Sequence, residues 1–97
     1  MTIYLIRHTT PDISLDICYG QTDIDVAETF EDEQKEIVPY IENISFDEVY
    51  ASPLKRCNKL ANKLFKDKTI VTDDRLKEMH FGNWELIHWN KIPEKEM

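Results

Sequence analysis

Residues 2–6, Thr2-Ile3-Tyr4-Leu5-Ile6, form a nearly continuous apolar run with a high share of β-prone side chains. Such a run predicts a strand buried on both faces, as at the centre of an α/β sheet. It stops abruptly at Arg7-His8-Thr9-Thr10-Pro11-Asp12. An arginine and a histidine would then sit at the C-terminal end of a central strand, where ligand sites of open α/β sheets gather. Residues 9–25 show no long periodic element, and a loop of that size inside a compact domain is usually functional. From Ala27 the pattern turns helical. Phe30, Ile37, Val38 and Ile41 share one face, while Glu28, Glu31, Asp32, Glu33 and Glu36 are expected to face water. The acidic first turns suit the helix dipole, and Pro39 should kink the helix or end it nearby. Residues 46–51 read as a second strand. Ser52-Pro53 follows as an N-cap with proline at the first helical position. The next helix carries Leu54, Cys57, Leu60, Ala61, Leu64 and Phe65 at spacings of three and four. Residues 69–72 read as a third strand. Beyond Asp73 the pattern weakens into mixed aromatic and charged residues and a polar tail, Lys91-Ile92-Pro93-Glu94-Lys95-Glu96. The order strand, helix, strand, helix, strand predicts an α/β layered domain.

Length confines these elements to one small domain, because the chain has 97 residues. An apolar fraction of 41% suits a globular core rather than a disordered tail. No apolar run approaches the ~20 residues of a membrane helix, and no basic-then-apolar leader opens the chain. Two cysteines, Cys18 and Cys57, make neither a disulfide framework nor a C-x-x-C pair. A cytoplasmic setting with both thiols reduced is the simplest expectation. The net charge of −7 argues against a nucleic-acid binder. It leaves room for a small anion, since a local pair of arginines overrules a net charge. Glycine occurs twice, at Gly20 and Gly82, so each is expected to mark a special backbone position.

Three places carry candidate chemistry. Lys55 and Arg56 fall in the first turn of the second helix, where the dipole disfavours cations by roughly 0.3–1 kcal/mol each. Either they are a solvated pair tolerated at that cost, or a bound anion, met by free backbone N–H groups, offsets it. Arg7-His8 reads either as a surface turn or as an imidazole nucleophile beside a phosphate-matched guanidinium. Glu78 reads either as an ordinary exposed carboxylate or as a general acid whose pKa flanking aromatics raise. His80 and His88 show no spacing that supports a metal site, so satisfied or exposed histidines are expected there.

Taken in order, Ile6-Arg7-His8-Thr9, then Ser52-Pro53-Leu54-Lys55-Arg56-Cys57, then Leu76-Lys77-Glu78 with Phe81-Gly82-Asn83-Trp84-Glu85, resemble the histidine phosphatase superfamily. That superfamily includes the cofactor-dependent phosphoglycerate mutases and many small-molecule phosphatases. The stretch Cys18-Tyr19-Gly20-Gln21-Thr22-Asp23 further resembles the α-ribazole phosphatases of the cobalamin pathway. The resemblance implies a three-layer phosphoglycerate mutase-like α/β fold with a mostly parallel central sheet. It implies that His8 attacks phosphorus to form a phosphohistidine, that Arg7 and Arg56 hold the phosphoryl oxygens, and that Glu78 serves as acid and then base. Backbone groups at Gly20 and Gln21 are expected to border the substrate, a small phosphate monoester such as α-ribazole 5′-phosphate, with no metal or other cofactor required.

Departures refine that expectation. Thr9 stands where the family more often has Gly, and Ser14 where an Asn is frequent. The mutases' Glu-Arg-His-Tyr is here Glu78-Met79-His80-Phe81. Met79 cannot pair with a carboxylate, which argues against phosphoglycerate, the alternative substrate, and toward a less charged ester. The family's second histidine, in a late His-Gly pair, has no counterpart, and the family's domain is considerably longer. Residues 1–97 therefore read as the N-terminal part of one histidine phosphatase domain, weakly active or inactive alone and prone to self-association. Two alternatives stay open: a non-catalytic remnant that binds phosphate, and an α/β interaction domain whose acidic helix meets a basic partner.

Overall fold

A parallel pair of short strands is the centre of the structure, a computed structural model that describes residues 1–93. The elements run α1 (Phe30–Ile41), β1 (Val49–Ala51), α2 (Lys55–Leu64) and β2 (Ile70–Thr72), followed by three short 3-10 turns. Strand β1 pairs with β2 in the register Val49–Ile70, Tyr50–Val71 and Ala51–Thr72. A parallel pair needs a crossover, and α2 supplies it. The β1–α2–β2 unit matches the expected α/β class with parallel strands. The polar tail reaches residues 94–97, which lie outside the described residues.

Helix α2 covers the strands with Leu60 and Ala61, while Leu54 is buried just before it. Its start departs from expectation. Ser52 does not cap the helix; its Oγ accepts the Leu54 N–H at 3.2 Å in a turn, and the helix begins at Lys55. The expected free N–H groups are partly spoken for as well, because Lys55 N donates to Asp23 Oδ1 at 2.7 Å. The anion at this helix start is a carboxylate of the chain itself, which satisfies orphan amides and the dipole together.

Helix α1 carries Pro39 two residues before its end at Ile41, and it buries Gln34 and Ile41. Glu33, expected in water, is half-buried. Its Oε1 accepts Thr10 N at 3.1 Å and Thr10 Oγ1 at 2.9 Å. Its Oε2 accepts Thr29 Oγ1 at 2.5 Å. These bonds, led by that from Thr29, hold its carboxyl below the ordinary range.

The largest correction concerns residues 2–6. They form no strand, and Ile3 and Leu5 are 70% and 94% exposed. A strand buried on both faces needs a neighbouring strand and covering layers on either side. Among the described residues the sheet holds only β1 and β2, so neither requirement is met. The second strand is likewise shorter than residues 46–51. Phe46 instead packs edge-on between Tyr4 and Phe65, with centroid distances of 5.3 Å to each. Its carbonyl accepts Lys68 Nζ at 2.7 Å. The Cα radius of gyration, 15.3 Å, exceeds the ~13 Å of a fully compact domain of this length.

The long loop is a clasped structure. Asp12 N donates to Asp25 O at 2.9 Å, and Ala27 N to Thr10 O at 2.9 Å, closing its two ends. Its middle pairs with the distant segment 86–89. Cys18 N donates to Ile87 O at 2.9 Å, Leu86 N to Cys18 O at 2.7 Å, and Trp89 N to Asp16 O at 2.8 Å. Cys18 is thereby fully buried.

Candidate active site

The predicted site residues fall into two groups. Arg7 and His8 line an open groove of about 290 Å³ together with Thr9, Glu33, Glu36, Ile37 and Tyr40. Arg56 and Glu78 are not among its lining residues. Arg7 is exposed, and His8 is half-buried. His8 Nδ1 lies 2.7 Å from its neighbour's carbonyl, Thr9 O. A carbonyl only accepts, so Nδ1 carries the proton and Nε2 of the neutral ring keeps its lone pair. This is the tautomer a nucleophilic histidine requires. Beside it, Thr9 is 5% exposed, and its Oγ1 has no hydrogen-bond partner among the described residues.

Arg56 is the centre of the second group. It is 1% exposed, on the first turn of α2. One terminal nitrogen donates to Thr22 O at 2.8 Å and the other to Gly20 O. Its Cζ lies 5.1 Å from the Tyr19 ring centroid, within cation–π range. The guanidinium has five N–H donors, so these bonds leave others free. Nε is buried and without a partner among the described residues. Arg56 is therefore neither the solvated lysine-arginine partner of one reading nor a wholly free fork. The dipole penalty of its position is met by backbone carbonyls of the loop.

Gly20 and Gln21, expected to border a substrate, belong to this second group. Gly20 is buried, and a methyl group at its Cα would lie 1.8 Å from Met79 O and 2.7 Å from the Phe81 ring. The loop and the segment that carries Glu78 therefore meet backbone to backbone, which only glycine permits. Gln21 is half-buried.

Glu78 is not enclosed by aromatic rings as expected. It is exposed, and its Oε1 accepts the N–H of its neighbour Met79 at 2.9 Å. The aromatics are occupied elsewhere: Phe81 packs edge-on against Trp89 at 6.0 Å. Electrostatically, Glu78 stays within reach of α2, because it acts on the Cys57 thiol, which burial chiefly pushes up. His80 and His88 each accept a backbone N–H two residues on, from Gly82 at 2.8 Å and Asn90 at 3.3 Å.

The carboxylate that is enclosed is Glu85, to which the sequence assigns no role beyond its place in the third motif. Its Oε1 accepts Gly20 N at 3.0 Å, Thr22 N at 2.9 Å and Thr22 Oγ1 at 2.5 Å. Its Oε2 accepts Phe81 N at 3.1 Å. Burial pushes this carboxyl up, but bonds from the Thr22 hydroxyl and the amides of Gly20, Thr22 and Phe81 outweigh it and hold it at about 2. No local signal marks Glu85: residues 20–22 form a bend whose amides turn toward it from across the chain.

Comparison with known proteins agrees with the three motifs. The histidine phosphatase superfamily (branch 1) matches residues 3–97. An uncharacterised phosphatase of Bacillus subtilis, PhoE, is 34% identical over 86% of this chain and 45% of its own length. The adenosylcobalamin/alpha-ribazole phosphatase of Escherichia coli is 25% identical over 99% of this chain and 49% of its own length. Phosphoserine phosphatase of Entamoeba histolytica, solved with 3-phosphoglyceric acid, superposes with a TM-score of 0.75 at 30% identity. That match covers 86% of this chain and 42% of the other. The chain thus spans about half the length of the curated relatives it matches. On the strength of the family match along nearly all of its length, the chain belongs to the histidine phosphatase superfamily.

Proposed function

We propose that this chain supplies the nucleophile-bearing part of a phosphatase that hydrolyses a small phosphate monoester through a phosphohistidine. The observation that carries this reading is the His8 ring, whose Nδ1 is tied to Thr9 O and whose Nε2 has no hydrogen-bond partner among the described residues. Nε2 attacks phosphorus in line, the N–P bond forms, and the P–O bond to the leaving alkoxide breaks. Glu78 gives that oxygen its proton, then takes one from the water that cleaves the phosphohistidine. Arg7 and Arg56 stabilise the charge on the phosphoryl oxygens, a role that needs no metal ion.

The substrate that fits best is α-ribazole 5′-phosphate, which would place the reaction in assembly of the cobalamin nucleotide loop. Support comes from the stretch Cys18-Tyr19-Gly20-Gln21-Thr22-Asp23 and from the Escherichia coli relative. Met79 beside Glu78, where a cation would be needed for a carboxylate, weighs against phosphoglycerate. Free Cys18 and Cys57 favour a reducing compartment such as the cytoplasm. Among the described residues no helix is long and apolar enough to cross a membrane. The exposed side chains of Ile3, Leu5, Tyr50 and Val71 favour self-association.

A second reading has its own observation. Arg56 and Glu78 lie outside the groove of Arg7 and His8, as in a phosphate-binding remnant that does not turn over. Phosphate release from an aryl phosphate in excess chelator, compared between the chain and His8→Ala, separates the two. Weak, chelator-resistant release that vanishes in His8→Ala is expected, about 10²–10³ below a complete oxyanion-stabilising site. Release that persists in His8→Ala contradicts the phosphohistidine route, and no release from either chain favours the remnant.

A further inference from the structure

Arg56 is a deeply buried cation, 1% exposed, and none of the ion pairs among the described residues includes it. A buried charge needs compensation. The compensation here is indirect. Gly20 and Thr22 each give their carbonyl to the Arg56 guanidinium and their N–H to Glu85. The loop residues are thus clamped between a guanidinium and a carboxylate that do not touch. The same carboxylate also holds Phe81 N, four residues away on its own segment.

We infer that Glu85 is the positioning residue for Arg56: it fixes the two residues whose carbonyls orient the guanidinium, and so sets where the free Nε–H edge points. Cutting the clamp at Glu85 leaves three buried or half-buried N–H groups without their acceptor and frees the loop from the 79–85 segment. The guanidinium then loses its fixed pair of acceptors. That Arg56 meets phosphate rests on the function proposed above; that Glu85 holds Arg56 does not.

The chain has three arginines, Arg7, Arg56 and Arg75, and the first and last are exposed. Their Nε–H signals in a proton–nitrogen spectrum of the full chain are assigned by Arg→Lys substitution. The Arg56 Nε–H is expected to exchange with water most slowly. Glu85→Ala should speed that exchange about tenfold or more, the ratio that one lost charge-assisted hydrogen bond corresponds to. Glu85→Gln, whose carbonyl oxygen still serves the three donors on Oε1 while its amide nitrogen no longer accepts the Phe81 N–H, should retain more of the protection than Glu85→Ala. An unchanged Arg56 signal in a folded Glu85→Ala chain overturns the inference. If Glu85→Ala does not fold, Thr22→Val decides. It removes one donor to Glu85, so a shifted, faster-exchanging Arg56 signal supports the inference and an unchanged one overturns it. Titration with inorganic phosphate separates the two claims. A wild-type Arg56 signal that ignores phosphate removes the phosphate role, while its loosening by Glu85→Ala still supports the clamp.

Discussion

The carboxylate of Glu85 and the amide of Gly20 meet at 3.0 Å across 65 positions of the chain. Around that bond the loop after His8 is fastened to the segment that bears Glu78. The two glycines show how differently such positions depend on a missing side chain. Gly20→Ala would drive a methyl into Met79 O at 1.8 Å, where backbone must move. Overpacking of this kind costs about 1–3 kcal/mol, at the upper end here. At Gly82 the space is open and the strain is in φ, +60°. Gly82→Ala should cost about 1 kcal/mol, the left-handed penalty. Urea denaturation of both variants checks the order, and a Gly82→Ala chain less stable than Gly20→Ala contradicts it.

Acid should loosen the same clamp. Glu85 is held at about 2 when folded, against an ordinary 4.5. A depressed folded pKa adds stability that is fully present above the unfolded value and is lost as pH falls toward the folded one. The window is therefore between about pH 5 and pH 2. Allowing for partial solvent exposure, the loss is about 1–2 kcal/mol. Asp25, Glu33 and Asp73 are also lowered, so the whole chain loses stability in acid. Comparing urea midpoints of wild type and Glu85→Gln from pH 5 to pH 2 isolates the Glu85 share. Parallel curves for the two proteins would show that the clamp carries no proton-linked stability.

Thr9 offers a test of opposite sign. Its buried Oγ1 has no partner among the described residues, and an unmet hydroxyl costs about 1–3 kcal/mol. Thr9→Val keeps the shape and should stabilise the chain by about 1 kcal/mol. A destabilised Thr9→Val protein would mean that the hydroxyl has a partner in solution.

The exposed apolar segment predicts association. Ile3 and Leu5 are largely in water, and Tyr50 of β1 and Val71 of β2 are 55% and 45% exposed. Sedimentation velocity should show species larger than a monomer that dissociate on dilution, and Leu5→Lys should shift the population toward monomer. A concentration-independent monomer contradicts this.

Much of the fold can be read from local pattern. Apolar residues spaced by three and four place α1 and α2, and the β1–α2–β2 crossover follows from their order. The residues 2–6 strand fails for a non-local reason. Its apolar run specifies burial on both faces, and burial depends on partners that a local pattern does not contain. The candidate site divides in the same way. Arg7, His8 and Arg56 are legible because residue type and motif name them. The enclosure of Glu85 in place of Glu78 is not, because both are glutamates flanked by aromatics. What separates them is a loop 63 to 65 positions away that turns its amides toward one of them. Ser52 misleads for a smaller reason. A serine before proline signals a helix start, but a turn closed on Leu54 N uses the same hydroxyl two residues earlier.

The proposed phosphohistidine requires a covalent bond from His8 Nε2 to phosphorus. Intact-mass analysis of the chain after brief exposure to an aryl phosphate in excess chelator, quenched in alkali, tests it most directly. One added phosphoryl group is expected, stable in alkali, lost in acid, mapped to His8 and absent from His8→Ala. A phosphoryl group found elsewhere, or none on a folded wild-type chain that nonetheless releases phosphate, would contradict it.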